Sequence, residues 1–217
     1  MSDIFTEVDE EVRREQLKKL WERYGNYVIA VAFAVILGVA AYRGYEWWQD
    51  KKAAEAGAAY DAATQLAEAG KHEEAEVAFG KLATEGTAGY RMLARLRQAA
   101  EIAERDPKAA VVTYDAIASD NAREPLVGEL ATIRAAFLLV DTAKLDEMVQ
   151  RLDPIAQPNG TFRHTARELL ALSAWRAHDS AATRQWLDMI ALDGDTPPGL
   201  RSRAEALQAL LPPVAKS

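Results

Sequence analysis

Cysteine is absent from the 217 residues, and histidine appears only three times. Without a thiol there is no cysteine nucleophile, no iron–sulfur cluster, no cysteine-based zinc site and no disulfide framework. The compartment stays open, because an oxidising environment permits disulfides without requiring them. The histidines do not fill the gap. His72 heads the run His72-Glu73-Glu74-Ala75-Glu76, which lacks the second histidine of a metalloprotease helix and reads as a solvated helix start. His164 and His178 fall on one predicted helix, about 21 Å apart by helix rise, too far for one metal. Glycines are scattered at predicted helix ends rather than gathered in a phosphate-binding loop. Positive charge is in deficit, 26 Lys and Arg against 33 Asp and Glu, which argues against a nucleic-acid partner. No catalytic constellation stands out. Absence of a motif does not exclude an enzyme, but helical repeats of the kind read below usually bind partners, so no enzyme, cofactor, metal or small-molecule substrate is expected.

Charge is also missing from one stretch. The 19 residues between Arg23 and Arg43 carry none, and residues 28–41 are apolar throughout. A helix of that length spans about 28 Å, close to the hydrocarbon thickness of a bilayer. Trp21, Tyr24 and Tyr27 stand at one end; Tyr42, Tyr45, Trp47 and Trp48 stand at the other. Seven of the twelve Trp and Tyr residues thus fall where amphipathic rings favour the two membrane interfaces. A soluble core helix seldom runs three turns without a polar face. The flanks before the span carry Arg13, Arg14, Lys18, Lys19 and Arg23, and those just after it Arg43, Lys51 and Lys52. This bias places the N-terminus in the cytoplasm and the rest of the chain outside it. The long lead and the large aromatics that follow favour an uncleaved anchor over a signal peptide. Within the span Ala30, Ala34 and Gly38 recur every four residues, a small-residue stripe along which another membrane helix can pack closely.

Ahead of the span, Thr6 and Asp9 resemble a capping box that opens a helix. Val8, Val12, Leu17, Leu20, Trp21 and Tyr24 then form an apolar stripe. It suits a helix lying on the membrane or a docking element for a cytosolic partner, and the spacing does not separate the two.

After Trp48 the chain repeats. Leu82-Ala83, Ile117-Ala118, Ile155-Ala156 and Ile190-Ala191 are spaced by 35, 38 and 35 residues, and Phe79, Tyr114 and Trp186 precede three of them. A period in the mid-thirties is the mark of helix–turn–helix repeats. Small Ala side chains let two helices approach, and an aromatic fills the gap to the next pair. First helices are expected over 50–69, 88–105, 123–140 and 161–178, second helices over 71–84, 107–118, 142–152 and 180–192, and a closing helix over 199–211. Gly70 ends one helix, Asp106-Pro107 and Glu124-Pro125 start others, and Pro197-Pro198-Gly199 separates the last. Pro154 is expected to stop its helix near Leu152. All eight prolines lie beyond residue 106. The span and the first repeat helix therefore read as one rod, with Gly44 and Gly57 as the points of bending. On the polar sides of the first helices, Arg91, Arg95, Arg134, Arg163 and Arg167 are expected to line a partner groove for acidic or carboxylate groups.

The fold class is therefore all-α, an N-terminal transmembrane helix followed by a tetratricopeptide-like helical-repeat solenoid. Residues 1–23 form a cytoplasmic amphipathic tail, 24–42 the transmembrane helix with Trp21, Tyr24, Tyr42, Trp47 and Trp48 at its interfaces, and 43–217 the repeat domain.

The lead Glu10-Glu11-Val12-Arg13-Arg14-Glu15-Gln16-Leu17-Lys18-Lys19-Leu20-Trp21, the step Tyr24-Gly25-Asn26 and the exit Tyr45-Glu46-Trp47-Trp48 carry a resemblance. With the Ala-rich helix through Tyr60, the chain resembles the ancillary subunit family of the Sec translocon. These are single-pass bacterial inner-membrane proteins with a periplasmic tetratricopeptide-like domain. The resemblance implies association with Sec translocon subunits, periplasmic chaperones and exported clients, in a scaffold that hands over exported proteins. The irregular repeats of the second half depart from the pattern. The other reading is a structural or regulatory membrane subunit in envelope assembly or cell division.

Overall fold

The computed structural model describes residues 3–120 and 125–213, with the side chains of residues 3–12 and 16 outside that description. The side-chain roles expected of Thr6, Val8, Asp9 and Val12 therefore lie outside the described residues, as does the Glu124 helix start. Every regular element among the described residues is a helix. In chain order these are α1 (Asp3–Glu68), α2 (His72–Glu85), α3 (Ala88–Arg105), α4 (Pro107–Asp120), α5 (Pro125–Leu139), α6 (Leu145–Ala156), α7 (Arg163–Arg176), α8 (Ser180–Leu192) and α9 (Pro198–Ala209). The chain divides into two compact units, Met1–Glu55 and Ala56–Ser217, with the division inside α1.

The first unit is the leading part of α1. Its helix is already formed at Asp3, three residues before Thr6. The helix runs through Gly44 and Gly57 without interruption. Val28, Ile29, Val31, Phe33, Val35, Ile36, Leu37 and Val39 are all exposed. The helix is long and apolar enough to cross a membrane, and little of its most apolar stretch is buried within the protein. A core helix of a soluble domain would show the opposite.

The second unit begins with the last residues of α1 and contains three apolar cores in chain order. Ala56, Ala63, Ala75, Phe79, Leu82 and Ala94 form the first. Ala99, Ala110, Tyr114, Ile117, Ala131 and Ala135 form the second. The third is the largest and is built from α5 to α9 around Met148, Leu152, Leu169, Leu170, Leu187 and Ile190. Each helix packs chiefly on its neighbours in the chain. The repeat signal is the inner face of alternate helices: Leu82, Ile117, Ile155 and Ile190 are all buried, on α2, α4, α6 and α8. Phe79, Tyr114 and Trp186 are buried one turn earlier, and Leu152 takes that place on α6. Glycine permits close approach at Gly57, where a Cβ would stand 2.9 Å from the Tyr90 hydroxyl. Tyr60 lies against both Phe79 and Tyr90, with ring centroids 5.4 and 5.9 Å away.

The joints follow local chemistry. Gly70 takes φ 74°, and the Lys71 amide reaches back to the Leu66 carbonyl at 2.9 Å, closing α1 with a left-handed glycine. The Asp106 carboxylate accepts the amides of Lys108 and Ala109, both at 3.1 Å, and Pro107 occupies the first helical position. Pro154 corrects the sequence reading: α6 does not end at Leu152 but runs through Pro154 to Ala156. A proline so close to the end removes one amide and leaves only the Gln150 carbonyl without its helical donor, while Ile155 and Ala156 gain burial. α6 also starts at Leu145 rather than 142, and α7 stops at Arg176 rather than 178. His178 lies beyond it in the left-handed region, φ 59°, so His164 and His178 do not share a helix.

Candidate interaction surfaces

On the first unit, Ala30 and Ala34 lie on one helix face with Asn26, Ile29, Phe33 and Leu37. Gly38 stands one turn further, and a Cβ there would meet nothing within 4 Å. The stripe is thus open along its length. Aromatic rings flank the apolar stretch, and cations rest on them. Arg23 lies over Tyr24 at 5.7 Å, Lys51 over Trp47 at 5.7 Å and Lys52 over Trp48 at 3.9 Å. Such pairs hold the charge over the ring face, where the ring quadrupole attracts it. Trp21 and Tyr42 are exposed on the same helix.

The five arginines expected to form one groove separate into three settings. Arg91 and Arg95 line a cleft with Ala83, Ala88, Gly89, Met92 and Ile117. Arg134 is exposed on α5. Arg163 and Arg167 are engaged inside the protein. Arg167 is 3% exposed, and its Nε donates to the Ala156 carbonyl at 2.9 Å. Its Nη1 donates to Asp193 at 2.9 Å, and Arg163 clamps the same carboxylate from 2.8 and 3.2 Å. Arg163 also donates to Asp195 at 3.1 Å. The hydrogen bond from Arg163, then those from the Asp195 amide and Arg167, hold the Asp193 carboxyl well below the usual carboxylate range, against desolvation. This node ties α7 to the α8–α9 connection, so Arg163 and Arg167 leave no open pair for a partner.

The histidines also find internal partners. His72 is not simply solvated: its Nδ1 lies 2.8 Å from Oε2 of Glu101, whose side chain is 6% exposed. Arg97 approaches the other Glu101 oxygen at 3.5 Å and rests over the Phe79 ring. Nearby, burial pushes the Tyr114 phenol above its ordinary range, opposed by the charges of Arg134 and Arg97. His164 lies 3.1 Å from Asp193 at ion-pair distance, yet its Nε2 is outside hydrogen-bonding geometry. No cluster of three or more metal-ligating side chains occurs among the described residues.

Paired helices in chain order, with an inner stripe repeated every mid-thirties of residues, define a helical-repeat protein. A family model described as a tetratricopeptide repeat-like domain matches residues 18–183, about three quarters of the chain. The chain belongs to that family. The match takes in the apolar part of α1 as well as the helices through the start of α8. No curated protein and no solved structure matches it. Domains of this kind present repeated helical surfaces to other proteins.

Proposed function

We propose that the chain is a membrane-anchored protein-interaction scaffold that works without catalysis or cofactor. Residues 24–42 of α1 cross a bacterial inner membrane once, and the repeat domain stands on the periplasmic side. One observation carries the reading: an uncharged, exposed, aromatic-flanked stretch belongs to the same helix whose later residues enter the first repeat core. The excess of Lys and Arg before the stretch supports a cytoplasmic N-terminus. The resemblance of the lead, the entry step and the aromatic exit to the ancillary Sec translocon subunits supports a place beside the export channel. There the scaffold hands exported proteins to periplasmic chaperones.

In-cell photo-crosslinking tests the reading, with the reactive residue placed near Ala34 and on the repeat helices and the products identified by mass spectrometry. Channel subunits captured from the span, with chaperones or exported clients captured from the repeats, support it. Capture of division or wall-synthesis proteins without a channel subunit moves the assignment to an envelope-assembly subunit.

A further inference from the structure

In a chain with a net charge of −7, an arginine without a carboxylate partner is informative. Within the repeat domain, Arg97, Arg105, Arg151, Arg163, Arg167 and Arg203 each hold an acidic side chain at ion-pair distance, whereas Arg176, Arg184 and Arg201 donate to backbone carbonyls instead. Arg91 holds none among the described residues. It is exposed, and among the described residues its side chain donates to the Gly86 carbonyl, at 3.2 Å. Arg95 stands one turn on, so the two guanidinium groups emerge on one face of α3. Both border the cleft of about 390 Å³ beside the end of α4, whose other walls among the described residues are apolar. Ile117 is buried there and Met92 half-buried. The cleft already contains one carboxylate: Asp120, the last residue of α4, meets Arg95 at 2.5 Å while 60% exposed.

We propose that this cleft docks an acidic segment of a partner protein. A carboxylate of that segment bridges Arg91 and Arg95, a neighbouring apolar side chain rests against Met92 and Ala88, and Asp120 is the internal competitor that the segment displaces. Charge complementarity selects the occupant, since a neutral or basic segment leaves Arg91 unpaired and offers Arg95 nothing in exchange for Asp120. Charge-assisted bonds from two guanidinium groups are short and strong, and the released Asp120 carboxylate already faces water. The proposal rests on the scaffold reading and names the chemistry of its partner.

The test uses the full chain in lipid nanodiscs and a short fluorescent peptide alternating Glu with Leu and Phe, read by anisotropy. The control peptide carries Gln in place of Glu. Binding of the Glu peptide is expected, and the control should bind at least tenfold more weakly. Arg91→Gln and Arg95→Gln should each weaken binding by about tenfold, and Asp120→Asn should tighten it. Gly89→Leu separates docking from folding. A Cβ at Gly89 meets nothing within 4 Å, so the leucine should occupy the cleft and abolish binding with the thermal transition unchanged. No binding of the Glu peptide, equal binding of the control, indifference to Arg91→Gln or Gly89→Leu, or weaker binding by Asp120→Asn overturns the proposal. Should the peptide fail while photo-crosslinks still form elsewhere on the repeats, the cleft is excluded and the scaffold reading stands. Absence of any protein crosslink sinks the scaffold reading itself.

Discussion

Arg167 Nη1 meets Asp193 Oδ2 at 2.9 Å across 26 positions of sequence, with the arginine side chain 4% exposed. The same guanidinium donates to the carbonyls of Ala156 and Met189, so one side chain joins α6, α7, α8 and the α8–α9 connection. Arg167→Met keeps the stem and removes all three bonds. It should cost roughly 3 kcal/mol, because the Asp193 charge loses a partner and two carbonyls lose a donor. Arg203→Met, which breaks the more exposed pair with Glu168, should cost under about 1 kcal/mol. Denaturant unfolding of the two variants checks the contrast, and equal losses would contradict it.

The same node gives a pH signature. Asp193 has a folded-state pKa depressed below the unfolded value, chiefly by the Arg163 hydrogen bond. Its contribution to stability is then fully present above about pH 4 and is lost as pH falls toward the folded value. The stability gap between wild type and Asp193→Asn should narrow as pH falls below about pH 4. Melting curves through that acid range decide it, and a gap that widens below about pH 4 would exclude this origin.

Pro154 offers a gain. It sits inside α6 with Ile155 and Ala156 still helical after it. Pro154→Ala returns an amide to the Gln150 carbonyl and should raise stability by about 1 kcal/mol, the proline's stiffening of the unfolded chain offsetting part of a larger helical gain. A lower unfolding midpoint would show that the ring packs in a way that alanine cannot replace.

Gly57 and Tyr90 should be coupled. Alanine normally gains up to about 1 kcal/mol over glycine in a helix, but here its Cβ would come within 2.9 Å of the Tyr90 hydroxyl. Gly57→Ala should therefore stabilise the Tyr90→Phe background more than the wild type, by about 1 kcal/mol in a double-mutant cycle. Additive effects would mean that Tyr90 moves aside freely.

The membrane reading has its own substitution. Replacing Ala34 and Gly38 with Leu closes the open stripe on α1 and should weaken co-purification with a membrane partner while leaving the protein in the membrane fraction. Undiminished co-purification would remove the stripe as a packing surface.

What the sequence makes legible is whatever local spacing records. The inner stripe of α2, α4, α6 and α8, the glycine stop at Gly70 and the Asp106-Pro107 start are each written within a few residues. The internal partners of His72, Arg163 and Arg167 are written nowhere locally. They depend on Glu101 and Asp193, which stand 29, 30 and 26 positions away and become neighbours only when helices pair. One signal was available. Arg167 falls four residues before Ala171, and Ala171 with Ala174 continues the buried face, so an inward arginine was readable from the spacing on α7. Pro154 departs from its expected stop for a related reason: the proline rule is local, whereas the burial of Ile155 and Ala156 that carries the helix past it is tertiary.

Because each helix of the second unit packs chiefly on its neighbours in the chain, the three apolar cores are laid down in order of synthesis. Partners separated by one or two helices find each other without waiting for the C-terminus, the low contact-order condition under which chains fold quickly. A domain built this way can consolidate from its first helix onward while the rest is still being delivered, and little sticky surface stands open at any moment. Failure should also travel in one direction. A lesion near Phe79 exposes the ground on which later helices are laid, whereas a lesion near Ile190 leaves the earlier layers standing.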